Sequence, residues 1–187
     1  MSQSPSHPLA LVCLFLSLTA TLPAKAEEPT VKIEESGAVS VNGEVLKADT
    51  SYKQLETLLK EKPLIFEHRG AFFEFTAAAI ILPRWHPANL LIALPLQGAK
   101  GLDGTYPLMF KGDLSLPGLR LTPSQMSFSD IRKALEKVNF HLTPNDYVHA
   151  NLDVNLGGTT LTFQLNDDDT VKVLTITRHE QKPMPKE

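Results

Sequence analysis

From Val148 to Leu156 every second residue is apolar: Val148, Ala150, Leu152, Val154 and Leu156 alternate with His149, Asn151, Asp153 and Asn155. Side chains of a strand point to opposite faces in turn, so this pattern predicts an antiparallel strand with one buried and one wet face. Gly157-Gly158 supplies a turn into Leu161–Leu165. Asn166–Thr170 supplies the next, and Val171–Thr177 closes a meander.

The same signals occur earlier. Thr30–Glu34 alternates, and Val39-Ser40-Val41 runs into Asn42-Gly43 with Val45-Leu46 as the return. Asn-Gly accepts the positive φ angles of a tight turn, so a hairpin is predicted. Ser51 stands three residues before Gln54, the spacing of a capping box, and Leu55, Leu58 and Leu59 share one helical face. With Pro63 beyond, a helix is expected to end near Lys60. Ile65-Phe66, the Arg69-Gly70 turn and Phe72–Phe75 predict another strand pair. Ala77–Leu82 and Leu90–Leu94 are continuous apolar runs that read as buried strands.

These patterns recur at an offset of about 75 residues, the kind of self-similarity that marks a repeat. Gly37, Val39, Val41 and Gly43 match Gly112, Leu114, Leu116 and Gly118, and Leu46 matches Leu121. Leu55 and Leu59 match Ile131 and Leu135, Ser127–Asp130 repeats the capping box, and Phe66 matches Leu142. The expected fold is therefore α+β: two related hairpin-helix-strands units over 27–96 and 108–180, with antiparallel sheet. A linker loop over 97–107 joins them, a polar tail covers 181–187, and one continuous sheet could run through both.

The first 26 residues follow a different rule. An apolar run from Leu9 to Leu22, closed by Pro23 and followed by Ala24-Lys25-Ala26, has the form of a signal peptide cleaved after Ala26. The run is shorter than the roughly 20 residues that span a bilayer. A periplasmic or secreted location is expected. Cleavage would remove Cys13, the only cysteine, and with it disulfides, thiolate nucleophiles and Cys-ligated metal. It would also remove Lys25 and take the formal charge from -3 to -4. Mild acidity with no basic stripe argues against nucleic acid and polybasic membrane binding.

Candidate chemistry is sparse. Asn166-Asp167-Asp168-Asp169 offers oxygens for Ca²⁺ but lacks the glycine and glutamate of a calcium loop, and reads as a hairpin turn. Glu67-His68-Arg69 joins a carboxylate, an imidazole and a cation near a turn; His141 and His149 lack metal-ligand spacing with each other or with His68 and His86. No nucleophile elbow, phosphate loop or dinucleotide fingerprint occurs, so no catalytic residue, metal or cofactor is assigned. Pro83-Arg84-Trp85-His86-Pro87 holds the only tryptophan beside an arginine, between two apolar runs. Trp and Arg gain much contact for little entropy and dominate binding hot spots. Two uses are open: a partner-binding tip formed by Arg84, Trp85 and His86, or a Trp85 folded back over an edge of the core.

Over Phe110-Lys111-Gly112-Asp113-Leu114-Ser115-Leu116-Pro117-Gly118, the Ser127 helix and the Phe163–Ile176 hairpin, the chain resembles a family of bacterial envelope proteins of unassigned function. Val41-Asn42-Gly43-Glu44-Val45-Leu46 fits the same pattern, so the resemblance spans most of Thr30–Arg178. It implies no catalytic residues, and some members look like immunity partners of secreted antibacterial toxins. A looser likeness, at fold level alone, is to the β-lactamase-inhibitor-protein architecture, in which tandem helix-plus-sheet units form a concave binding face. The expected function is a non-enzymatic exported protein-binding module, an immunity or inhibitor protein acting by steric occlusion. Its expected partner is another protein, a secreted toxin or an envelope component. The alternatives are an envelope enzyme using Glu67, His68 or His149, and a structural or assembly factor of the envelope.

Overall fold

The computed structural model describes residues 28–67, 71–83, 89–97, 99–117, 119–121, 127–135, 143–144, 151–168 and 170–179. Strand β1 (Thr30–Ile33) buries Val31 and Ile33 and turns Thr30 and Lys32 outward, as its alternation requires. It pairs antiparallel with β2 (Val39–Val41), which returns as β3 (Glu44–Leu46). Asn42 and Gly43 close this hairpin at φ 51° and 82°. The Asn42 side chain has a second use: its Oδ1 accepts the Thr30 N–H at 2.9 Å and its amide donates to the Leu58 carbonyl at 3.4 Å. One turn residue thus ties the hairpin to β1 and to the end of the next helix.

That helix, α1 (Tyr52–Leu59), begins at the predicted box. Ser51 Oγ accepts the Gln54 N–H at 3.4 Å and Gln54 Oε1 accepts the Ser51 N–H at 2.7 Å, which satisfies two donors the first turn would leave unpaired. Lys60 ends it in the left-handed conformation at φ 53°. Leu55 enters the core, and the Tyr52 ring stacks on Phe73 with centroids 4.1 Å apart. A second helix, α2 (Phe128–Leu135), is capped by Ser127 and contributes Ile131 to the same core.

The remaining strands are β4 (Leu64–Glu67), β5 (Ala71–Phe75), β6 (Ile80–Pro83), β7 (Asn89–Pro95), β8 (Asp113–Leu116), β9 (Leu119–Leu121), β10 (Thr143–Pro144), β11 (Asn151–Leu156), β12 (Thr159–Leu165) and β13 (Val171–His179). They form two sheets rather than one continuous sheet. The smaller has the order β3-β2-β1-β8-β9, and the larger β10-β11-β12-β13-β7-β6-β5-β4. Strands from both ends of the chain are continuous in the larger sheet because β7 and β13 pair antiparallel from Asn89↔His179 to Pro95↔Val173. In the smaller sheet β1 and β8 pair parallel, the other strands antiparallel. Gly112 permits this pairing, since a Cβ there would collide with the Pro29 carbonyl that accepts the Asp113 N–H at 3.0 Å.

The apolar run Ala77–Leu82 is not a single strand. Residues 76–79 form the turn from β5 to β6, with Ala79 at φ 49°. The Glu61 carboxylate accepts the N–H groups of Ala77 at 2.6 Å and Ala78 at 3.0 Å. Ala78 and Ala79 are buried, so apolarity was a true sign of burial but not of extension, and alanine is a weak strand former.

The two sheets face each other across one core that takes in Val31, Leu114, Phe75, Ile92 and Phe163. At one end they touch through two turns. A Cβ on Gly37 would collide with the Leu156 carbonyl, and a Cβ on Gly157 with that of Ser36; both residues have positive φ, 78° and 54°. The Gly37 carbonyl accepts from Thr159 Oγ1 at 2.6 Å and from Arg178 Nη1 at 2.8 Å. Thr159 is 1% exposed, so these bonds satisfy groups that burial would otherwise strand.

Candidate functional site

Register decides what the larger sheet offers. Paired residues of adjacent strands point to one face, and the pairs chain into a single rung across the sheet: Leu64↔Glu74, Glu74↔Ile81, Ile81↔Ala93 and Ala93↔Thr175. It continues as Thr175↔Thr162 and Thr162↔Asp153. The intervening positions, among them Phe73, Leu82, Ile92, Leu174, Phe163 and Val154, face the core. The rung therefore lies on the outer face. Neither Leu55 nor Ile131, the buried helix residues, reaches it.

This outer face has two characters. Toward β4 it is apolar: Leu64 is 49% exposed, and Phe66, Phe72 and Leu91 are half-buried. Ile65, on the other side of the same edge strand, is 56% exposed. Toward β11 it is polar, carrying Thr175 and Thr177, Thr160, Thr162 and Gln164, then Asn151, Asp153 and Asn155. Thr160 donates to Asn155 Oδ1 at 2.7 Å and lies 3.3 Å from His179 Nε2. Two oxygens, Asn151 Oδ1 and Asp153 Oδ1, are sealed from solvent and have no hydrogen-bond partner.

A strap crosses the face at Glu74 of β5, the residue paired with Leu64. Residues 99–108 leave β7, double back through the Lys100↔Pro107 bridge and a Gly101 N–H to Tyr106 carbonyl bond of 2.9 Å, and return toward β8. The strap is held by Glu74, fully buried at 0% exposure. Its carboxylate accepts from the Leu102 N–H at 2.8 Å, from Thr76 Oγ1 at 3.2 Å, and from the Tyr106 hydroxyl. The phenol of Tyr106 is pushed above its ordinary value, first because it donates to Glu74, then through desolvation. Sequence reasoning missed Glu74; the signal was a lone carboxylate inside Phe72-Phe73-Glu74-Phe75, where a buried charge demands donors.

Of the residues singled out from sequence, Arg84, Trp85 and His86 lie outside the described residues, as do His68, His141 and His149. Glu67 is exposed at the end of β4. Among the described residues, the Glu67↔Ala71 pair and the Asn89↔His179 pair stand at the ends of their strands. In the 166–170 turn, Asp168 is committed to the turn itself: its Oδ1 accepts from the Thr170 hydroxyl at 2.5 Å and N–H at 3.1 Å, which holds the carboxyl below its ordinary value. Thr105 lowers Asp103 in the same way at the tip of the strap. Among the described residues no three His, Cys, Asp or Glu side chains gather as a metal site, and no helix is long and apolar enough to cross a membrane.

No protein-family model matches the chain, and neither a curated protein nor a solved structure does.

Proposed function

We propose that the protein is a non-enzymatic binding module of the cell envelope that captures a partner protein on the outer face of the eight-stranded sheet. The observation that carries this reading is the apolar half of that face. Leu64 at 49% exposure, Phe66, Phe72 and Leu91 share one side of neighbouring strands, beside hydroxyl and carboxamide groups. Exposed apolar side chains bordered by polar groups are the material of a protein interface. A sheet backed by a large core holds such a surface rigid, so affinity is not lost to ordering it. Steric occlusion of a secreted toxin, as an immunity or inhibitor protein, is the most concrete form of the function.

Two finer statements belong to this reading. The chain is a duplication: β2, β3, α1 and β4–β7 repeat as β8, β9, α2 and β10–β13, and the two strand sets meet at β7 and β13. The paired order supports this, since β4 and β10 stand at opposite edges of the sheet and β7 and β13 at its centre. The Arg84, Trp85 and His86 segment adds hot-spot contacts, after export and cleavage at Ala26.

The test is copurification from the envelope followed by co-expression. A partner held by the wild-type protein is expected to be lost from a Leu64→Glu/Phe72→Ser variant and weakened by Trp85→Ala, while Lys53→Glu on α1 keeps it. A toxic partner is expected to be neutralised by the wild type alone. Equal retention by all variants, with no protection, would remove the proposal.

A further inference from the structure

We infer that two copies of the chain pair edge to edge through β4, in antiparallel register about a two-fold axis at Ile65. Among the described residues β4 is the last strand of the larger sheet and has one neighbour, β5. Every second residue of an edge strand turns its N–H and C=O away from that neighbour, which makes the edge a template for another strand. Sheet edges usually carry a device against such pairing. The opposite edge, β10, is two residues long, and one of them, Pro144, has no N–H. In β4 the four pairs with β5 run in regular register without a bulge, and Leu64-Ile65-Phe66 carries no charge.

The exposed side chains indicate where the occupant lies. Leu64 is 49% exposed on the outer face and Ile65 is 56% exposed on the opposite face, although Tyr52 stacks on Phe73, the residue paired with Ile65. A body resting on one face would cover only one of them. A strand beside β4 covers both, because its side chains alternate between the same two faces. The sequence of β4 then selects a second copy as that strand. With the axis at Ile65, Ile65 meets Ile65 and Leu64 meets Phe66, so every apolar residue of β4 opposes another, and Glu67 opposes Pro63. An axis at Leu64 would set Glu61 against Glu67, and one at Phe66 would set Ile65 against Glu67. The pairing also brings Leu64, Phe66 and Phe72 of the two copies together on the outer face, with the polar strands β11–β13 of each copy to either side. The second copy thereby completes the binding surface.

Four residues from each copy bury less than the roughly 1,600 Å² of a standard interface, so a dimer that dissociates in the micromolar range is expected. Sedimentation of the protein purified from the envelope tests this. A monomer–dimer equilibrium is expected, and Ile65→Lys should weaken it roughly a hundredfold because the change enters each dimer twice. Ile65→Cys should form a disulfide-linked dimer on air oxidation, since residues opposed across antiparallel strands stand within disulfide reach, and Lys53→Cys on α1 should not. Four results would each overturn the pairing: a wild type that stays monomeric up to about 0.5 mM, a dimer that Ile65→Lys leaves intact, an assembly larger than a dimer, or an Ile65→Cys adduct with another protein in place of itself. The wild-type measurement decides the point whether or not a variant folds. The inference rests on the edge strand and not on capture, so a monomer from which Leu64→Glu/Phe72→Ser still releases a partner would remove the pairing and leave the binding reading.

Discussion

The two faces of the eight-stranded sheet are built from the same strands, yet residues one position apart have opposite duties. Phe163 is fully buried in the core, while its neighbours Thr162 and Gln164 face outward. The inner face ends in a clasp in which two positive-φ glycines bring turns into contact and Thr159 and Arg178 bind the Gly37 carbonyl. The outer face ends in an exposed Leu64 on one side and two unpaired acceptors on the other. A period of two therefore separates the core-facing side chains from those of the outer face. It also gives the comparison consequences that can be measured.

The largest effect belongs to the inner face. Phe163→Ala should cost about 3–5 kcal/mol by leaving a cavity between the sheets, and urea unfolding would read this as a lower midpoint with unchanged slope. Next comes the clasp: Arg178→Met keeps the stem but removes a charged donor from the Gly37 carbonyl, and about 1.5–3 kcal/mol is expected by the same assay. A loss as small as a surface substitution would mean that the sheets are held by the core alone.

The strap comes third. Tyr106→Phe removes one of the three donors to the buried Glu74 carboxylate and should cost about 1–2 kcal/mol. The same bond makes a pH prediction. Tyr106 has its phenol raised in the folded state, so its contribution is fully present below the ordinary value of 10.0 and is lost as pH rises through the raised value. A phenolate absorbance titration should show a late alkaline step that Tyr106→Phe abolishes. Smallest in stability is the outer face, where Leu64→Ser should change unfolding by roughly 0.5 kcal/mol or less. If it destabilised as Phe163→Ala does, the two faces would not be distinct.

Local order was legible from residues that act on their neighbours. Asn42-Gly43, Ser51 with Gln54, and Gly157-Gly158 set their turns and caps through bonds within a few positions, and the structure has them where the patterns put them. Ala77–Ala79 misled because a buried turn and a buried strand look alike in apolarity, and the deciding contact, the Glu61 carboxylate, lies 16 positions away. The division into two sheets was illegible for a similar reason. It depends on the parallel pairing of Val31 with Leu114, which no local signal records. Alternation in β11 announced that Asn151 and Asp153 would face away from the core; which strands would stand beside them was settled only by long-range register.

The central claim is that the outer face does the binding, and site-specific photo-crosslinking in the envelope tests it most directly. A crosslinking residue placed at Thr175 or Leu64 on the outer face is compared with one at Lys53 on α1. The account predicts one discrete adduct with another protein, the same by mass spectrometry, from Thr175 and Leu64 and none from Lys53. Adducts from Lys53 alone, or no adduct from either outer position, would contradict it.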